Sequence, residues 1–343
     1  MALYLNNTTS IDSVLAQIND HKARTKDFLM NTSTLREPEV SEDGTLSLKT
    51  EVGRMDFDKH AEQQLAQFVG VPFPYLSRIK TQLPELYHDT LTKLLRERDG
   101  TPRMVRTIDG NARAFLSDSF ARLDNDLLAS SLLKIADKGL EVKGFNIDAQ
   151  GMSMHVINPK LEGEVRKGDV VRYGFHIRNS EVGKHALESL AVAFRLVCTN
   201  GMVRPEDLFK FRRVHSGASN LKSMARQERV PEYTVHDIEQ GFHALAENAT
   251  DDKALNNYIT DMKELDAIKV EEPIELIERV QKKYTLSNMQ ADSITNHYER
   301  DNLNTRWGFV NAVTRTAQDQ EINAEARKLE EVGGLLTRDK SIW

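Results

Sequence analysis

The chain has one cysteine, Cys198, in 343 residues. A single thiol excludes an intramolecular disulfide and any zinc site built from several thiolates. Its flanks, Leu196 and Val197, give it the setting of a small buried apolar residue rather than a reactive nucleophile. No apolar run approaches the ~20 residues a membrane-crossing helix needs. The N-terminus, M-A-L-Y-L-N-N-T-T-S, lacks a basic segment followed by an apolar stretch, so no secretion signal is expected and the expected location is the cytoplasm. Neither G-x-x-x-x-G-K-[ST] nor G-x-G-x-x-G occurs, so no glycine-loop nucleotide cofactor is expected. The ten histidines are scattered, without H-x-x-x-H or H-E-x-x-H spacing. Basic charge is not in excess: the formal net charge is −6, which excludes a surface coated in cations but not a local basic groove.

The composition that remains, 29% charged and 39% hydrophobic, is that of a globular chain able to bury a core without staples. Ser10 can cap a helix over 10–30, in which Ile11, Val14, Leu15 and Ile18 recur at helical spacing. Residues 31–45 are polar with Pro and Gly and read as a loop, and 46–52 alternate as a strand. Helices are predicted over 58–98, with Asp58 as a cap and Pro84 opening the second. The period then changes. Residues 104–108 and 113–116 flank Asp109-Gly110-Asn111, a hairpin signal. A helix from about Asn125 to Gly139 follows, then strands at 140–148, 152–158 and 169–178, and an apolar run at 186–198 read as a further strand. From 217 onward the pattern is helical at 234–248, 252–269, 272–284 and 317–331. The expected fold is α+β. A mainly helical N-terminal region with one or two strands (1–100) leads into a central antiparallel sheet with packed helices (101–216). A mainly helical C-terminal region (217–343) packs on that core.

Two passages stand out. The first is F-H-I-R-N-S-E-V-G at 175–183, which runs on to R-L-V-C-T-N-G-M-V at 195–203. Asn179-Ser180 with Gly183, and Thr199-Asn200-Gly201, carry turn chemistry. The second is Arg204–Arg229, where Arg204, Lys210, Arg212, Arg213, Lys222, Arg226 and Arg229 face only Glu206, Asp207 and Glu228, a local balance of +4. Phe209 and Phe211 lie among the cations, and His215 follows in a His-Ser-Gly turn. Such a segment suits a phosphate-backbone surface, with Lys210, Arg212, Arg213, His215, Lys222, Arg226 and Arg229 as its contacts and an aromatic ring available to stack on an unpaired base. It equally describes a solvated basic helix with Phe209 and Phe211 in the core. The strand arginines Arg103, Arg106, Arg113, Arg172 and Arg178 would extend the surface if they share a face. Asp118, Asp124 and Asp126 hint at a nuclease metal site, but helix capping explains them without metal.

The strings N-S-E-V-G and R-L-V-C-T-N-G-M, with A-F-L-S-D-S-F-A-R-L-D-N-D-L-L at 114–128, R-R-V-H-S-G at 212–217 and N-T-R-W-G-F-V-N-A-V-T at 304–314, resemble the phage- and plasmid-borne family called domain of unknown function 932. The likeness spans roughly the last two-thirds of the chain. It implies a mobile-element setting inside a bacterial cell and brings no activity with it. The function expected from the residues is therefore non-enzymatic: binding of nucleic acid, single-stranded DNA above all, in an annealing-like role in mobile-element DNA metabolism. No catalytic residue, metal or cofactor is expected. The alternative is a phage factor that binds and diverts a host protein through the acidic helical C-terminal half. No membrane partner is expected, and formation of a homo-oligomer is left open.

Overall fold

A computed structural model describes residues 8–128, 131–133, 137–195, 200–203, 211–215, 232–248, 252–320 and 323–343. The chain opens with β1 (Thr8–Thr9), α1 (Ile11–Arg24), β2 (Thr25–Asn31), β3 (Arg36–Val40), β4 (Leu46–Thr50) and β5 (Gly53–Phe57). Helices α2 (Lys59–Val69), α3 (Phe73–Gln82) and α4 (Pro84–Glu97) follow, then β6 (Pro102–Ile108) and β7 (Asn111–Ser117). A 3-10 turn at Asn125–Leu128 precedes β8 (Glu141–Ile147), β9 (Met152–Glu164), β10 (Val170–Asn179), β11 (Leu187–Arg195), β12 (Asn200–Val203) and β13 (Phe211–Arg213). The described helices of the C-terminal part are α5 (Glu232–Asn248), α6 (Asp252–Asp266), α7 (Pro273–Tyr284), α8 (Asn288–Asp301), α9 (Arg306–Thr316) and α10 (Asn323–Leu336).

The fold is α+β, with a mainly helical C-terminal region, as the periodicity predicts. The single central sheet is instead two sheets. One runs β1-β8-β9-β10-β11-β12, with β13 also on β11. The other runs β2-β6-β7-β5-β4-β3. The first hundred residues hold four of the second sheet's six strands, so the expected boundary at residue 100 passes through that sheet. The helix predicted over 10–30 ends at Arg24, where Thr25 turns extended and continues as β2. The predicted loop 31–45 contains the edge strand β3.

Local chemistry explains the elements. Ser10 and Asp58 accept from the backbone N–H three residues on, capping α1 and α2. Asp109 and Gly110 both have positive φ, 51° and 86°, which a tight hairpin turn between β6 and β7 requires. Gly174 on β10 has a packing reason: a Cβ there would lie 1.9 Å from the Val156 carbonyl oxygen on β9.

Three large apolar clusters fill the molecule. Met30, Leu48, Phe57, Leu65, Leu91 and Phe115 lie in the cluster of the second sheet and helices α2–α4. Val14, Ile18, Met154, Phe175, Ile238 and Phe242 lie in that of the first sheet with α1 and α5. Val171 and Tyr173 join Tyr258, Trp307, Phe309 and Val313 in the third, so the C-terminal helices pack on the sheet. Trp307 Nε1 donates to buried Asp169 Oδ2 at 2.9 Å, tying α9 to the β9–β10 hairpin.

Candidate functional site: the seam between the sheets

The two sheets meet through a network of polar groups set beside a small apolar cluster of Met104, Ala114, Leu116, Phe120 and Val182. The corner after β10, Asn179 to Val182, is buried at every residue. Glu181 accepts from Arg113 NH2 at 2.7 Å and from the Asn125 backbone N–H at 2.8 Å, and its carbonyl accepts from Arg106 NH1 at 2.9 Å. Arg106 Nε also donates to Asp27 Oδ1 at 2.8 Å. Its NH2 lies 2.8 Å from Asp124 Oδ1, a close ion pair without the alignment of a hydrogen bond. Asp27 receives Arg122 at 3.4 Å, and Lys22 sits between Asp124 and Asp126 at 3.4 and 3.1 Å. Arg106 on β6 and Arg113, the extra residue at the register shift between β6 and β7, both turn into the seam, and each is almost fully buried. Burial disfavours the Arg106 cation, yet Asp124, Asp27 and Glu181 outweigh it and hold the proton more tightly than usual. Burial likewise opposes the Asp124 carboxylate, and Arg106 and Lys22 outweigh it, leaving its pKa lowered.

This placement corrects the sequence reading. Arg106 and Arg113 cannot extend a cationic surface, because both are consumed in the seam. Arg172 pairs with Glu162 at 3.1 Å, and Arg178 with Glu188 and with Glu331. Asp124, read as a helix cap, is an ion-pair partner of Arg106. Among the described residues no three His, Cys, Asp or Glu side chains are placed to hold a metal ion, and no helix is long and apolar enough to cross a membrane.

His215 belongs to the same seam. It is buried, with Nδ1 3.0 Å from the Ala121 carbonyl and Nε2 3.0 Å from Asn179 Oδ1. Asn179 Nδ2 donates to the Leu123 carbonyl at 2.7 Å and to Asn125 Oδ1 at 2.9 Å. The Phe120 ring stacks on the imidazole, 5.0 Å between centroids and 5° from parallel. Burial pushes the His215 pKa down to about 4. Gly183 closes the corner with φ 81°, and a Cβ there would press on Leu116 and Phe120 at 3.2 and 3.3 Å. The buried pair His155 and His176, 4.4 Å between ring centroids, packs within the first sheet.

Beside His215 lies a cleft of about 460 Å³, lined among others by Ser117, Ser119, Phe120, His185, Arg212 and His215. Ser117 and Ser119 are hydrogen-bonded to each other at 3.0 Å. Arg212, half-exposed, stands on β13 across from Glu188 at 3.6 Å, a carboxylate that Arg178 also engages. Arg213 reaches Asp237 on α5 at 3.3 Å. The basic segment therefore divides. Arg212 and His215 come together at the cleft, Arg213 turns to α5, and Lys210, Lys222, Arg226 and Arg229 lie outside the described residues, as does Cys198. Asn200 and Gly201, read as a turn, are the first residues of β12, paired with Arg195 and Phe194.

Three of the stretches that single this chain out, 114–128, 175–183 and 212–215, thus converge on one seam and one cleft. Sequence reasoning placed Ser117, Ser119, Phe120 and Glu181 in quoted strings without assigning them a role. A second cleft of about 440 Å³ holds Ser293, His297, Arg300 and Asp319. There Ser293 Oγ and His297 Nε2 both reach Asp319 Oδ2, at 2.5 and 2.7 Å. The serine engages the carboxylate instead of the imidazole, so the three do not form a nucleophile–base pair.

No curated protein and no solved structure matches the chain. The model of one protein family, Domain of unknown function (DUF932), matches residues 124–343, well over half of the length, and takes in the N-S-E-V-G corner, β13 and the C-terminal helices. The chain belongs to the DUF932 family.

Proposed function

We propose that the protein binds single-stranded nucleic acid without catalysing a reaction on it, in the DNA metabolism of a mobile element, and that the seam cleft holds one nucleotide of the strand. The observation that carries this reading is Arg212 at a cleft that also presents two serine hydroxyls and an imidazole. A guanidinium and hydroxyl donors suit a phosphate oxygen. Because Glu188 is shared with Arg178, Arg212 keeps donors to offer, and its half-exposed side chain has room to turn towards a ligand. The volume, about 460 Å³, falls within the ~300–1,000 Å³ of small-molecule sites and accommodates a nucleotide. The sequence on either side of β13 adds Lys210, Lys222, Arg226 and Arg229, cations available to neighbouring phosphates.

Fluorescence anisotropy with labelled oligonucleotides tests this. Wild-type protein is expected to bind single strands with an affinity that falls as salt rises, each neutralised phosphate contributing a slope of about −0.7 in log–log form. Arg212→Glu is expected to weaken binding about tenfold or more across all base sequences, since a charged phosphate contact of ~1.5–3 kcal/mol is lost without loss of base readout. Folded protein that binds no oligonucleotide at low salt sinks the reading and leaves the host-protein partner as the alternative.

A further inference from the structure

We propose that the seam cleft takes its anionic ligand together with a proton, and that His215 is the group that receives it. This rests on the reading of the cleft as a phosphate site. Both ring nitrogens of His215 face oxygen acceptors at 3.0 Å, the Ala121 carbonyl and Asn179 Oδ1. The Asn179 amide cannot be reversed to relieve this, because its oxygen would then sit 2.7 Å from the Leu123 carbonyl. A neutral imidazole has one N–H, so one of the two contacts sets a lone pair against a lone pair. The imidazolium donates to both. The neutral form is nonetheless held by burial, and by the Arg106 cation on β6, against the Ala121 carbonyl and the pull of Asp124 and Glu181. An anion in the cleft adds a negative charge on the open side of the ring and tips that balance. Protonation then completes both hydrogen bonds and fixes the wall formed by Phe120, stacked on His215, and the strand end that carries Arg212. By linkage, affinity for the anion rises as pH falls, by up to about tenfold per pH unit, the limit for one proton.

His185 also lines the cleft and is the competing proton acceptor. The test is titration calorimetry with oligothymidylate at about pH 5.5, in two buffers of different ionisation heat. The expected result is a difference in heat that corresponds to uptake of up to about one proton per site, lost in His215→Gln and kept in His185→Gln. Histidine-selective ¹⁵N spectra of the wild type identify the ring that gains the proton, whether or not His215→Gln folds. Binding with equal heats in both buffers overturns the proposal and leaves the nucleic-acid reading standing. Uptake that follows His185 also overturns it. Absence of binding in either buffer removes the parent reading, and this one with it.

Discussion

Arg106→Leu is expected to destabilise the protein by about 3–5 kcal/mol, the range for removing one partner of a buried ion pair. The guanidinium is 2% exposed and joins Asp27, Asp124 and the Glu181 carbonyl, groups from three separate parts of the chain. Leucine fills much of the space but leaves Asp27 and Asp124 without their closest cation, with only the more distant Arg122 and Lys22 in its place. Arg106→Lys is expected to fall between, because one ammonium cannot span acceptors that a planar fork reaches on three sides. Chemical denaturation followed by circular dichroism measures this. A loss below about 1 kcal/mol for Arg106→Leu would mean that the seam is wetter and weaker than its burial implies.

The second large effect is expected at Trp307. Trp307→Ala removes a side chain 2% exposed from the centre of the C-terminal core, a change that costs about 3–5 kcal/mol. It also removes the indole donor from buried Asp169. Trp307→Phe separates the two contributions: it keeps most of the apolar volume and is expected to lose about 1–3 kcal/mol, the cost of a buried acceptor short of a donor. Equal losses in the two variants would show that the hydrogen bond, not the packing, holds α9 against the hairpin.

Much of the fold was legible because local chemistry and period agreed. Asp109-Gly110 announced the β6–β7 hairpin, Ser10 and Asp58 announced helix starts, and within the run read as a strand at 186–198 the described residues Leu187–Arg195 form β11. Helices α8 and α9 were not found, for opposite reasons. The α8 segment, N-M-Q-A-D-S-I-T-N-H-Y-E-R-D, has few apolar residues to mark a face. The α9 segment is buried nearly all round, from Trp307 to Thr314, so it has no polar face to give it a period. Pairing of β2 with β6 across some eighty residues leaves no local trace, which is why a single sheet was expected where there are two.

The site was legible in part. The corner 179–183 and His215 were singled out, and both belong to the seam. What sequence could not show was which arginines had partners. Arg106 and Arg212 look alike in a charge count, yet one is buried between two carboxylates and the other stands half-exposed at a cleft. Charge tallies along a chain do not see alternation across a sheet, where β6 turns Arg106 inward towards the other sheet.

The proposed function puts a nucleic-acid strand in the seam cleft. Photo-crosslinking with a thymidine oligonucleotide carrying photoreactive bases, followed by peptide mapping, addresses that directly. The predicted adducts fall on the peptides that line the cleft, those containing Ser117 to Phe120, His185 and Arg212 to His215, and they diminish in Arg212→Glu. Adducts confined to the C-terminal helices, or unchanged by Arg212→Glu, would contradict it.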